Sequence, residues 1–161
     1  AVLKVMRETL GELEVARRDE GVKMSDILLR QISEVSDLTG QARAFASDQI
    51  AQIRSRFEGR LKEIDTEGRV DADRLAAEVA VLLTKADVTE ELDRLDAHIT
   101  SARDMLALSE PVGRKLGFLA QEFHREANTL CSKSASLELT NVGLALKSVI
   151  DQLKEQSANV E

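Results

Sequence analysis

Apolar residues recur at helical spacing along nearly the whole chain, and no stretch alternates as a strand would. Val5, Leu10, Leu13 and Ala16 form the first stripe and predict a helix over Val2–Asp19. Gly21 follows the charged run Arg17, Arg18, Asp19, Glu20 and is expected to break or kink that helix. From Val22 to Glu67 the pattern resumes through Ile27, Leu28, Ile32, Val35, Leu38, Ala42, Phe45, Ile50, Ile53, Phe57, Leu61 and Ile64, with bends expected at Gly40 and Gly59. A run of that length exceeds an ordinary globular helix. It predicts a long helical hairpin or a coiled-coil-like arm over residues 1–70, suited to oligomerisation or scaffolding.

A turn is expected over Gly68–Asp71, with Asp71 or Asp73 capping a helix whose stripe is Leu75, Val79, Leu82 and Ala86. Asp87-Val88-Thr89-Glu90 has the form of a capping box, an acceptor side chain followed by Glu three residues on. The helix after it buries Leu92, Leu95, Ile99 and Leu106. Pro111 stands at the next helix start, where its missing N–H costs little, ahead of Val112, Leu116, Leu119, Phe123, Ala127 and Leu130. Ser132–Ser136 is a short polar break before a last stripe of Leu139, Val142, Leu146, Ile150 and Leu153. These stripes need one another for burial. The chain is therefore expected to be all-α, the arm being followed by an antiparallel helical bundle over residues 71–161.

Composition agrees with that class: a single proline, four Phe as the only aromatics, and 32% charged residues of both signs. The net charge of −7 argues against a broadly basic nucleic-acid surface, but the charge is uneven. Residues 71–110 carry a net −6 and residues 111–133 a net +2, so a local anion site is compatible with an acidic whole. Cys131 is alone, which excludes a disulfide framework and a Cys-based zinc site and fits a reducing, cytosolic setting. No run of about 18 apolar residues is present, so no membrane span is expected, and no signal peptide is visible. The chain opens at Ala1 in mid-pattern without Met and is expected to be part of a longer protein.

Candidate chemistry lies beside the stripes. A helix turns about 100° per residue, which puts Lys115, Glu122 and Glu126 on one flank of their helix. Glu122 and Glu126 are like charges one turn apart, an arrangement that calls for a cation, a metal or water. Arg114, Gln121, Arg125 and Asn128 share the other face with Phe118, an aromatic suited to stacking on a base or filling a partner's pocket. On the preceding helix Glu91, Arg94 and His98 share a flank, and His98 has the chemistry of a general base, a proton donor or a metal ligand. Glu78 flanks the stripe of the helix before that, with Lys85 two turns on. Were these flanks to converge, carboxylates interleaved with cations would suit Mg²⁺ or Mn²⁺ and attack on a phosphodiester. Charged residues beside a seam are ordinarily solvated or salt-bridged, and no P-loop, GxGxxG, HExxH or nucleophile elbow is present. His124 falls on an open face, and Cys131 reads as a small packing residue. Taken alone, the residues describe a helical bundle.

Three motifs carry the reading further. RLAAEVAVLLTKADVTEELDRLDAHI (Arg74–Ile99), EPVGRKLGFLAQEFHREANTLCSK (Glu110–Lys133) and LKSVIDQLKEQSANVE (Leu146–Glu161) resemble, in order, the carboxy-terminal part of the YicC family of bacterial endoribonucleases. RRDEG at Arg17–Gly21 fits that family's middle region more loosely. The resemblance implies a cytoplasmic homohexamer that cleaves RNA with a divalent metal, and an amino-terminal α/β domain that is absent here. The positions it carries over include Glu78, Asp87, Glu90, Glu91, Arg94 and His98, then Arg114, Lys115, Gln121, Glu122, Arg125, Glu126, Asn128 and Lys133. Gly117, His124 and Cys131 depart from the family, where an acid, Asn and Gly are expected.

The roles follow from chemistry. Glu91, His98, Glu122 and Glu126 are the catalytic candidates, and Glu78, Glu122 and Glu126 the metal ligands for Mn²⁺ or Mg²⁺. Arg94, Arg114, Lys115, Phe118, Arg125, Asn128 and Lys133 are the RNA-binding set. The alternative is a non-catalytic helical scaffold or RNA-binding module.

Overall fold

The computed structural model describes residues 2–64, 72–108 and 111–159. Its elements are α1 (Val2–Ile64), α2 (Ala72–Ala86), α3 (Thr89–Ala107), α4 (Gly113–Lys133) and α5 (Leu137–Ser157), with no strand among the described residues. The expected turn at 68–71 and the cap at Asp71 lie outside the described residues, as do the side chains of Asp73, Leu61 and Ile64.

α1 runs uninterrupted for 63 residues, about 95 Å at 1.5 Å per residue. Of the two forms expected for this stretch, the single arm is the one found. The break expected at Gly21 does not occur. One exposed glycine costs a helix roughly 1 kcal/mol relative to alanine, and the Arg, Glu, Lys and Leu around it favour helix enough to carry the backbone through.

The middle of α1 belongs to the bundle. Leu28, Ile32, Val35 and Ala42 are buried in one core with Leu92, Leu95, Leu116, Phe123, Leu146 and Ile150. α1 packs on α3, α3 on α4, α4 on α5 and α5 back on α1, a closed ring of four helices. Each helix runs opposite to both neighbours, as the facing pairs Glu91 with Lys133, Gly143 with Cys131, and Arg43 with Asp93 ahead of Gln49 with Ala86 show. The expected boundary at residue 70 thus separates stretches that share a core. α2, expected inside the bundle, packs chiefly on α1, and Leu82 of its stripe is exposed. Val88, in the joint after α2, supplies the buried apolar side chain at this end.

Two joints align the ring. Gln49 of α1 is buried; its amide donates to the Ala86 carbonyl at 3.1 Å and accepts from the Ala135 and Ser136 N–H groups at 2.7 and 3.1 Å. The expected capping box forms only in part. Asp87 Oδ1 accepts from the Thr89 N–H and hydroxyl at 2.9 and 2.6 Å, while Glu90 turns forward to Arg94 rather than back to the cap. At the α4–α5 break, Ser136 caps α5 by accepting from the Leu139 N–H.

Candidate active site on the α3–α4 seam

Antiparallel packing of α3 on α4 sets their polar flanks face to face. Leu92, Leu95 and Ile99 on one helix and Leu116, Phe123, Ala127 and Leu130 on the other bury the seam, which fixes the rotation of both helices. The flanking residues therefore meet at set heights. Nearest the start of α3, Lys133 Nζ donates to Glu91 Oε1 at 2.9 Å and to the Asp87 carbonyl at 3.0 Å. Midway, Arg94 joins Glu90 on its own helix to Glu126 on α4, the latter at 3.4 Å. Further on, His98 faces Glu122 and Glu126.

At that third level a ring nitrogen of His98 and one carboxylate oxygen each from Glu122 and Glu126 lie within 4.8 Å of one another. Glu126 is only 3% exposed, and Glu122 stands at the mouth, beside Arg125 at 3.7 Å. His98 Nε2 is buried with no hydrogen-bond partner among the described residues. Its ring stands edge-on to Phe123, centroids 5.6 Å apart, which holds the imidazole between core and seam. A buried polar nitrogen without a partner is costly, and a cation or a substrate proton at this point would offset that cost. One imidazole and two carboxylates, one of them open to solvent, fit a divalent ion such as Mn²⁺.

The other expected site residues divide between places. Glu91 is buried on Lys133 and lies outside the three-residue cluster. Glu78 is exposed on α2 and is not among the clustered ligands. Lys115 is exposed near the start of α4. Asn128 pairs along its own helix, its amide nitrogen meeting His124 Nδ1 at 2.9 Å, and His124 Nε2 lies 3.7 Å from Asp151 of α5. Arg114 and Phe118 line a groove of about 810 Å³ between the start of α4 and the end of α5, with the guanidinium 5.8 Å above the Phe118 ring.

Two residues that hold this end of the bundle were not singled out from sequence. Gln49 is one, and its signal was a polar side chain inside the apolar repeat Ala42, Phe45, Ile53. Arg43 is the other; it ties α1 to α3 by donating to Asp93 at 2.9 Å and Asp96 at 2.8 Å, and these hydrogen bonds to the two carboxylates raise its pKa further.

Comparison with known proteins identifies the family. Residues 42–161 match the family described as endoribonuclease YicC-like, C-terminal. The probable endoribonuclease YicC of Clostridioides difficile (strain 630) is 30% identical over 159 residues, 98% of this chain and 54% of that protein. The protein of the same name from Haemophilus influenzae (strain ATCC 51907 / DSM 11121 / KW20 / Rd) is 33% identical over 160 residues, 99% of this chain and 55% of that protein. The chain thus spans about half the length of these relatives. With the matched region holding α3, α4 and α5 and every residue of the His98–Glu122–Glu126 cluster, the chain belongs to the YicC-like endoribonuclease family.

Proposed function

We propose that this chain supplies the phosphodiester-cleaving centre of an endoribonuclease, at the His98–Glu122–Glu126 cluster. The convergence of three ligand-capable residues from two helices, on a histidine whose Nε2 is buried without a partner among the described residues, carries the reading. Glu122 and Glu126 would hold a divalent ion, Mn²⁺ or Mg²⁺, which when bound supplies Lewis-acid stabilisation of the phosphate and a more acidic water, with His98 beside it as the proton carrier rather than a ligand. Glu122, at the solvent edge, accepts the proton of the attacking oxygen. Imidazole exchanges protons near neutrality, so His98 suits return of a proton to the leaving oxygen. Arg94 and Arg125 flank the carboxylates and position the phosphate by charge-assisted hydrogen bonds. Glu91 and Lys133 bind each other and brace the seam above the cluster.

The substrate is RNA, entering across the exposed face of α4. Self-association, a hexamer on the family resemblance, fits the exposed Leu3, Met6, Leu10 and Leu13 at the start of α1. A cytoplasmic setting follows from the same resemblance, and no helix among the described residues is long and apolar enough to cross a membrane. A second reading, a scaffold for catalytic groups elsewhere in the longer protein, draws on the ion pairs that already engage Glu91 and Glu126.

Cleavage assays separate the two. In the complete protein, Glu122→Gln is expected to lower RNA cleavage by at least a hundredfold while RNA binding and assembly persist, and the loss should track weaker Mn²⁺ dependence. Cleavage at the unaltered rate would assign the chemistry elsewhere and leave this chain the scaffold role. Arg125→Ala is expected to weaken RNA binding and lower the salt slope by about one.

A further inference from the structure

The groove between the start of α4 and the end of α5 belongs to neither the core nor the candidate cleavage centre. Its residues are unusual for a surface. Phe118 is 58% exposed, and Arg114 sits above its ring. Gln121 borders it from the next turn of α4, and α5 contributes Lys154 and Glu155 side by side. The Glu155 carboxylate makes no ion pair among the described residues. Gly117 keeps the floor open: a Cβ there would meet only Ser157 Oγ, at 3.7 Å.

We propose that this groove is a guanine-reading subsite for the RNA nucleotide next to the cleaved bond; the inference rests on the cleavage centre proposed above. Phe118 presents a π-face on which a base can stack, the common means by which single-stranded nucleic acid is held. Stacking alone accepts every base. The mixed charge of the α5 edge is selective. A carboxylate accepts two hydrogen bonds from the N1–H and N2–H₂ of guanine, and the adjoining ammonium or amide donates to its O6. Adenine and cytosine present an acceptor where guanine presents N1–H, and uracil presents carbonyl oxygens on both sides of its single donor. Asp151 also lines the groove, but it is shared with His124, so Glu155 is the reading carboxylate.

Position supports the sequence of sites. Phe118 and Glu122 are one helical turn apart, about 6 Å of rise, on the outer face of α4. A strand whose base stacks on Phe118 carries its neighbouring phosphate over Glu122 toward the His98–Glu126 seam. Arg114, at the far side of Phe118, meets the phosphate on the other side of that base.

The test uses the complete protein and RNA oligonucleotides that differ in one nucleotide beside the cut. Guanine at that position is expected to be cleaved at least tenfold more efficiently than adenine. Glu155→Gln should erase the preference while leaving the adenine substrate nearly unchanged, and Phe118→Ala should raise KM about tenfold for all bases. A separate arm titrates guanosine 5′-monophosphate against the isotope-labelled protein. Shifts at Gly117, Phe118 and Ser157 that adenosine 5′-monophosphate does not produce support the subsite when they accompany the guanine preference in cleavage. Cleavage with an unchanged base preference in Glu155→Gln would overturn the subsite while leaving the cleavage centre standing. Mononucleotide binding in the groove without any effect on cleavage preference would overturn it too, in favour of a free-nucleotide site.

Discussion

At the scale of single residues, the polar groups that matter are those whose hydrogen bonds have no substitute. Gln49 serves three backbone groups from two joints at once. Gln49→Leu keeps the size but leaves a carbonyl and two N–H groups unpaired, so it is expected to cost about 2–3 kcal/mol. The check is a lower urea midpoint with an unchanged slope. Asp87 gives a pH signature. Hydrogen bonds from the Thr89 hydroxyl and then the Thr89 backbone N–H hold its carboxyl below the usual range. A carboxyl whose folded pKa is lowered stabilises fully above its unfolded pKa and loses that contribution as pH falls through the folded value. Asp87→Asn should therefore flatten the acid side of the stability curve below about pH 4 and leave the neutral-to-basic side parallel to the parent. The Asp87 acceptor role was legible in the sequence. The forward turn of Glu90 was not, because Arg94 offers it a charged partner on the same face.

At the scale of elements, the contrast between glycines separates packing from propensity. Gly143 lets α5 approach α4 so closely that a Cβ would stand 2.5 Å from Cys131 Sγ and 3.1 Å from Leu130 Cδ2. Gly143→Ala gains roughly 1 kcal/mol of helix propensity but is expected to lose about 1–3 kcal/mol to overpacking, for a net loss. Adding Cys131→Ala should recover most of it, and a double-mutant cycle in urea reads the coupling. Gly40 has nothing within 4 Å of the same ideal position, so Gly40→Ala is expected to raise stability by up to about 1 kcal/mol. The sequence marked Gly21 as a break or kink, and Gly40 and Gly59 as bends, by residue type alone. It did not mark Gly143, which is legible only once Cys131 lies opposite. The thiol is half-buried, and that partial desolvation pushes its pKa up, in keeping with a packing group.

At the scale of the whole molecule, a closed ring of four helices carries an arm whose residues 2–23 are exposed throughout. Removing residues 2–22 is therefore expected to leave the bundle's unfolding temperature in place. If the arm's apolar residues join copies of the chain, the same truncation lowers the mass seen by light scattering. The all-helical class, the stripes of α3, α4 and α5, and the polar flanks beside them were determined by sequence alone, because helical period maps spacing onto one face without knowledge of any neighbour. Which flanks meet was decided only by the tertiary structure. Glu78, Glu91 and Glu122 are alike in sequence, each an acid beside a stripe. Packing sends Glu78 to solvent on α2, gives Glu91 to Lys133, and sets Glu122 beside His98 and Glu126. The reason is that a face has a direction in space only after its helix has a partner, and the partner is chosen by long-range burial that no local pattern contains.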